Sequence, residues 1–244
     1  MQKSVNLSII ALVLCGAGCA TVAYDRGVEI NDDELARRLN AKLEKLFPQS
    51  MRAVHRVYLK ALGREIVLEG YVLAKRPGKV RLLAKGDIGG TVFDAARAGG
   101  KERVLANSLG LRESWIKKGA LRDAGIIHLC GDFRGTHIVR HSDGSIGLMS
   151  EQKKGRRKEY VFSPDSRLIG YIESFGDSKR YEIIVSYPED PEESAAEAQP
   201  GGRPKIWKIR DYKLKYEAKI NIISVTEANI RDELFEKKPD AKRD

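Results

Sequence analysis

The sequence predicts a mainly β fold with helices: an antiparallel open half-barrel of about 10-11 strands, covered by an N-terminal helix and a central helical insertion. Three observations predict it. Apolar and polar residues alternate with period two through most of the 244 residues. Short Gly-, Pro- and Asp-containing turns separate the alternating segments, so sequence neighbours pair as a meander. Several segments are apolar on both faces. A sheet with one solvated side does not need that, whereas a strongly curved sheet does, because its concave face is covered by helices or by a ligand.

Taken in order, the chain starts with a positive Lys3, an apolar run at 8–14 and the small residues Gly16-Ala17-Gly18 before Cys19. The run falls short of the ~20 residues needed to span a bilayer, so 1–18 is expected to be a secretory signal. Small residues before a cysteine fit a lipoprotein peptidase, and Cys19 is the expected lipidation site. Cys15 is excluded because the bulky Val13 and Leu14 precede it. Residues 19–30 show no clear periodicity and read as a tether.

At 31 a helix is expected. Asn31 is a good cap, Asp32, Asp33 and Glu34 suit the positive end of the dipole, and Leu35, Leu39, Leu43 and Leu46 form one stripe before Pro48 ends the run. Strands follow at 52–62, 65–74, 79–85, 91–95 and 102–106. Residues 111–124 break the meander as a helical insertion interrupted by Gly119. Strand patterning resumes at 136–141 and 145–149, joined through Asp143-Gly144, a hairpin signal. It continues at 159–163, 168–175 and 180–187. Residues 188–204 read as an exposed, flexible acidic loop. Strands at 206–216 and 218–225 close the 31–225 domain, and 226–244 reads as a charged helical tail capped by Thr226.

Lysine and arginine exceed acidic residues by 44 to 34, for a net charge of +10. On an exported chain this points to anionic lipid or glycolipid, with no nucleic-acid partner. Once Cys19 is acylated, Cys130 has no disulfide partner and reads as a small buried apolar residue. His137 and His141 are four apart, but Ile138-Val139 favours a strand, where that spacing separates them by ~13 Å; no metal site is expected. Residues 86–91 lack the Gly-Lys-Ser/Thr ending of a phosphate loop. No nucleophile motif such as Gly-x-Ser-x-Gly occurs. The chain is expected to be neither an enzyme nor a cofactor protein, and to be a monomer.

The segment Lys79-Val80-Arg81-Leu82-Leu83-Ala84, the turn Gly86-Asp87-Ile88-Gly89-Gly90 and the strand Thr91-Val92-Phe93-Asp94-Ala95 resemble the LolA/LolB group of half-barrels. With a lipid anchor the resemblance is nearest LolB. It covers about 31–225 in element order: helix, meander, central insertion, more strands and a final strand pair. It implies a cavity that holds the acyl chains of lipids or of another lipoprotein, with Leu59, Leu68, Val72, Val80, Leu82, Ile183 and Val185 as lining candidates. It also implies that Ile88, in the turn, touches the membrane. Ala20 after the cysteine, as in proteobacterial lipoproteins, implies an outer-membrane anchor facing the periplasm. Asp87 departs from the pattern, in which Pro tends to precede the apolar turn residue. The alternative reading is a structural or assembly lipoprotein with a packed core, whose basic surface binds a protein partner or an anionic glycolipid.

Overall fold

A computed structural model describes residues 25–61, 63–86, 89–108, 110–152, 155–187 and 202–236. The signal, Cys19, Ile88 and most of the acidic loop lie outside the described residues. In chain order the elements are β1 (Val28–Ile30), α1 (Asp33–Leu46), β2 (Ser50–Ala61), β3 (Arg64–Lys75), β4 (Lys79–Gly86), β5 (Thr91–Ala98) and β6 (Lys101–Asn107). A helical segment, α2, is α-helical at Glu113–Trp115, π-helical at Ile116–Leu121 and α-helical again at Arg122–His128. Then come β7 (His137–Arg140), β8 (Ile146–Gln152), β9 (Arg156–Phe162), β10 (Leu168–Phe175), β11 (Ser178–Ser186), β12 (Ile206–Asp211) and β13 (Tyr216–Glu227).

All strands form one thirteen-stranded antiparallel sheet in the order β1-β7-β8-β9-β10-β11-β12-β13-β2-β3-β4-β5-β6. The sheet does not close, since β1 and β6 are its two edges. It is therefore two meanders, β2–β6 and β7–β13, joined side by side where β13 pairs with β2 from Tyr216↔Ala61 to Glu227↔Met51. The count exceeds the expected 10-11: all twelve alternating segments form strands, β2–β13, and a thirteenth, β1, lies where the pattern read as tether. Three residues are too few to show alternation, and β1 exists because β7 offers it an open edge, Val28 to Arg140 and Ile30 to Ile138.

Helix α1 buries Leu35, Ala36, Leu39, Leu43 and Leu46, the expected stripe with Ala36 added. Its cap is Asp32, one residue later than expected, whose side chain accepts from the Leu35 amide at 2.8 Å. Fully burying a leucine stabilises by roughly 1.5–3 kcal/mol, so this face fixes α1 onto the sheet. The expected break at Gly119 is not a break. The chain widens into a π turn there, and Gly119 packs against the Tyr216 ring, with 3.4 Å from an added Cβ to its Cε1.

The tail also differs from expectation. Thr226 is not a helix cap; it pairs with Arg52 in the β2–β13 ladder. A short 3-10 turn, Asp232–Phe235, follows instead of a longer helix, and residues 237–244 lie outside the described residues. The segment is a strap across the convex side of β4 and β5. Ile230 and Phe235 are buried, Lys75 donates to the Ile230 carbonyl, and Arg81 donates to the Leu234 carbonyl. Arg81 also forms a bidentate pair with buried Asp94, at 3.0 and 2.7 Å. This cover explains why β5 is buried on both faces. No helix among the described residues is long and apolar enough to cross a membrane.

Candidate functional site

The concave face is built by alternation. Odd residues of β2 and even residues of β3 and β4 point into the cup, through registers Val57↔Leu68, His55↔Gly70 and Gly70↔Ala84. From β13, Tyr216, Ala218 and Ile220 join them. Helix α2 lies over these strands and presents Trp115, Ile116, Ala120 and Ala124 to them. Between helix and sheet is an apolar cavity of about 100 Å³. Gly70 and Ala84, directly across from each other, leave this space because neither carries a long side chain.

The structure separates the expected lining residues. Leu59, Leu68 and Leu82 border the cavity. Val72, Val80, Ile183 and Val185 do not; they belong to the packed core. Ile183 and Val185 lie on β11, level with Leu59 and Val57 through the β11–β12–β13–β2 registers. Val72 and Val80 lie toward the β3–β4 turn, where the end of α1 and the turn at Cys130–Asp132 close the cup. Arg76 there donates to the Glu44 and Phe47 carbonyls, and Asp132 accepts from the Gly78 amide. Cys130 is fully buried beside α1, with Sγ 3.6 Å from the Leu43 carbonyl.

Two polar clusters hold α2 in place, and neither has a sequence motif. The first is centred on Asp123. The Tyr181 hydroxyl donates to Asp123 Oδ1 at 2.8 Å and the Tyr216 hydroxyl to Oδ2 at 2.5 Å. Arg122 reaches Asp123 at 3.0 Å and Asp211 at 2.8 Å, and its guanidinium lies 3.8 Å from the Tyr181 ring centre. Burial pushes the Asp123 carboxyl up against the opposing pull of Arg122 and the two hydroxyls. The same burial holds both tyrosine hydroxyls well above their ordinary range, so they stay protonated and can donate. The cluster ties α2 to β11 and β13 by hydrogen bonds at Asp123 and to β12 by the Arg122–Asp211 ion pair, a buried polar network of the kind that favours one arrangement.

The second cluster is a histidine pair. His55 on β2 and His128 at the end of α2 meet Nε2 to Nε2 at 2.7 Å, their rings nearly parallel and 4.8 Å apart, with Phe47 edge-on to His128. The contact requires one ring to donate an N–H and the other to accept on a bare nitrogen, so at least the accepting ring is neutral. Burial pushes His55 down to about 4 and His128 well below its usual value. His55 also borders the cavity. His137 and His141 go elsewhere: His137 meets Glu29 at 2.6 Å, and His141 meets buried Glu159 at 2.6 Å. A Cβ on Gly147 would fall 1.7 Å from that Glu159 carboxylate, which accounts for the glycine.

Sequence reasoning missed Asp123, His55 and His128 because their partners are far away in the chain. It had one usable signal for the cavity floor: Gly70 inside an otherwise strong strand pattern, which marks a place where a side chain is absent for a reason.

No family model and no curated protein matches the sequence. Solved structures do match. A LolA superfamily protein from Nitrosomonas europaea superposes with a TM-score of 0.53 at 12% identity, over 83% of this chain and 97% of that one. A DUF1329 family protein from Desulfovibrio piger gives 0.53 at 10% identity, over 85% and 98%. An open antiparallel half-barrel, a helix across its concave face and these superpositions together show that the chain has the LolA/LolB-like fold.

Proposed function

We propose that this is a non-enzymatic lipoprotein, anchored through Cys19 in the outer membrane and facing the periplasm, which takes up acyl chains of lipids or of other lipoproteins beneath α2. The observation that carries the reading is the apolar cavity between α2 and the β2–β4 face, in which His55, Trp115, Asp123 and Tyr216 are the lining side chains with polar groups and the rest are aliphatic, phenyl or glycine. Acyl transfer would rest on apolar burial, at ~0.8 kcal/mol per methylene. The cavity volume is well below the ~300–1,000 Å³ of typical ligand pockets, so the described state is the closed one. A whole chain enters only if α2 shifts. The π turn and the Gly119 contact are where such a shift would start, and the Asp123 cluster is what opposes it. Ile88, in the β4–β5 turn, is the proposed membrane-touching residue.

The test is binding of a fluorescent fatty acid to purified, delipidated protein, with Gly70→Leu and Ala120→Trp as cavity-filling variants. Binding by the wild type that both variants weaken supports the reading. If the wild type neither binds the probe nor copurifies with lipid, the carrier role fails. The small volume favours a second reading in that event: a structural or assembly lipoprotein whose concave face is simply core.

A further inference from the structure

The hairpin turns of the sheet fall on two rims, and their charges differ. One rim carries the β2–β3, β4–β5 and β12–β13 turns, with register ends at Ala61↔Arg64, Tyr216↔Ala61 and Leu68↔Gly86. The cavity lies at this end, because Leu59, Leu68 and Tyr216 border it. Around this mouth stand Lys60, Arg64, Lys213, Lys215 and, on the α2 segment that passes Leu214 and Tyr216, Lys118; all five are exposed. The neighbouring carboxylates Glu65 and Glu217 are matched, by Lys60 at 3.6 Å and Arg210 at 2.9 Å. Arg64, Lys118, Lys213 and Lys215 form no ion pair among the described residues. An open groove runs between two of the turns, lined by Lys60, Arg210, Tyr212 and Lys215.

The other rim is mixed. Its β7–β8 and β9–β10 turns carry Asp143 and Asp165, both held below the usual carboxylate range by hydrogen bonds from Ser145 and Ser163. Of its basic residues, Lys75 and Lys79 are bound to Asp232, while Lys101 and Arg140 are exposed.

We infer that the basic rim is a docking surface for an anionic lipid bilayer, which seats the cavity mouth against lipid phosphates. Charge complementarity identifies the occupant: Arg64, Lys118, Lys213 and Lys215, without ion pairs among the described residues, stand around the apolar cavity, whereas the other rim mixes both signs. Each basic residue near an anionic membrane strengthens binding roughly fivefold, within a screening distance of roughly 8–10 Å. Tyr212, half-buried beside the lysines, suits an interface of apolar and charged layers. The inference rests on the acyl-cavity reading for its meaning, since the mouth is what the rim surrounds, and it is separable from that reading by experiment.

The test uses the full chain carrying Cys19→Ala, so that no lipid anchor can contribute, sedimented with vesicles of phosphatidylcholine alone or with 30% phosphatidylglycerol (about a third anionic lipid, as an order-of-magnitude mimic of a charged leaflet). Binding to the anionic vesicles only, weakened at high salt, is expected. Arg64→Glu with Lys213→Glu should lower the affinity roughly tenfold or more. The charge-matched control on the other rim, Lys101→Glu with Arg140→Glu, should lower it several-fold less. Equal loss in both pairs, or equal binding to both vesicle types, overturns the inference; so does binding to neither, as for a surface that meets a protein. Fatty-acid binding measured without vesicles should be unchanged by the rim pair. Vesicle binding that persists where fatty-acid binding is absent would sink the cavity reading and leave the docking surface standing.

Discussion

Toward the β3–β4 turn, where the end of α1 and the Cys130–Asp132 turn close the cup, Val72 and Val80 are exposed by 1% or less and belong to the packed core. At the other end, further along the same β2, β3 and β4, Leu59, Leu68 and Leu82 face open space beneath α2. Strand, face and residue type are shared between the two ends. What differs is the cover. At the closed end the Arg76 and Gly78 contacts bind the end of α1 and the Cys130–Asp132 turn to the strands. Helix α2 instead approaches the cavity floor with Ala120 and Ala124 and is pinned by its two polar clusters together with buried Ile116, Leu121 and Ile127. An apolar strand face thus becomes core or cavity according to what covers it.

The sharpest way to break this comparison is to remove the polar hold. Asp123→Ala leaves the Tyr181 and Tyr216 hydroxyls without their acceptor and Arg122 with Asp211 and the Tyr216 oxygen. Losing one partner of a buried charged network costs about 3–5 kcal/mol. Urea unfolding should show that loss in its midpoint. Fatty-acid uptake should accelerate in the same variant under native conditions if the cluster restrains α2, and should be unaltered if it only supports the fold.

The histidine pair gives a smaller, pH-dependent effect. Both rings titrate below their unfolded value of 6.5 when folded, His55 at about 4. Between about 4 and 6.5 the unfolded chain therefore binds protons that the folded chain does not, and stability rises with pH across that window. Above 6.5 the neutral pair is fully retained; on acidification the loss at His55 alone is on the order of 3 kcal/mol. Urea midpoints measured from pH 7 to 4 should fall, and His55→Leu with His128→Leu should flatten the profile. An unchanged slope in the double variant would assign the acid sensitivity to carboxylates instead.

The legibility of the molecule follows the same division. Period-two alternation exposed nearly all the long strands, since each strand carries its own pattern, and the curved sheet followed from strands apolar on both faces. The α1 stripe was legible for the same local reason. The features that escaped depend on pairings over long distances. His55 and His128 are 73 positions apart and Asp123 and Tyr216 are 93 apart. Val28–Ile30 becomes a strand only because β7 has a free edge. The tail looked helical because Thr226, Ile230 and Leu234 have helical spacing, yet the β13 ladder claims Thr226 and the convex face claims Ile230 and Phe235. Which apolar residues line the cavity was equally illegible, because alternation says where Leu59 and Val72 point and nothing about what they meet.

The comparison is refined by its smallest effect, the difference between two leucine truncations. Leu43, on the apolar stripe of α1, is fully buried. Leu43→Ala should cost in the upper part of the 2–5 kcal/mol range, since the void it leaves is walled by rigid helix and sheet. Leu59 already borders space, so its methyl groups have fewer contacts to lose, and Leu59→Ala should cost only about 1–2 kcal/mol. The same change enlarges the cavity and should tighten binding of a medium-length fatty acid, while Leu43→Ala leaves that affinity unchanged. Urea midpoints together with fatty-acid titrations of the two variants check both halves. If the costs were equal and neither variant altered binding, Leu59 would be ordinary core, and the cup would have one kind of interior rather than two.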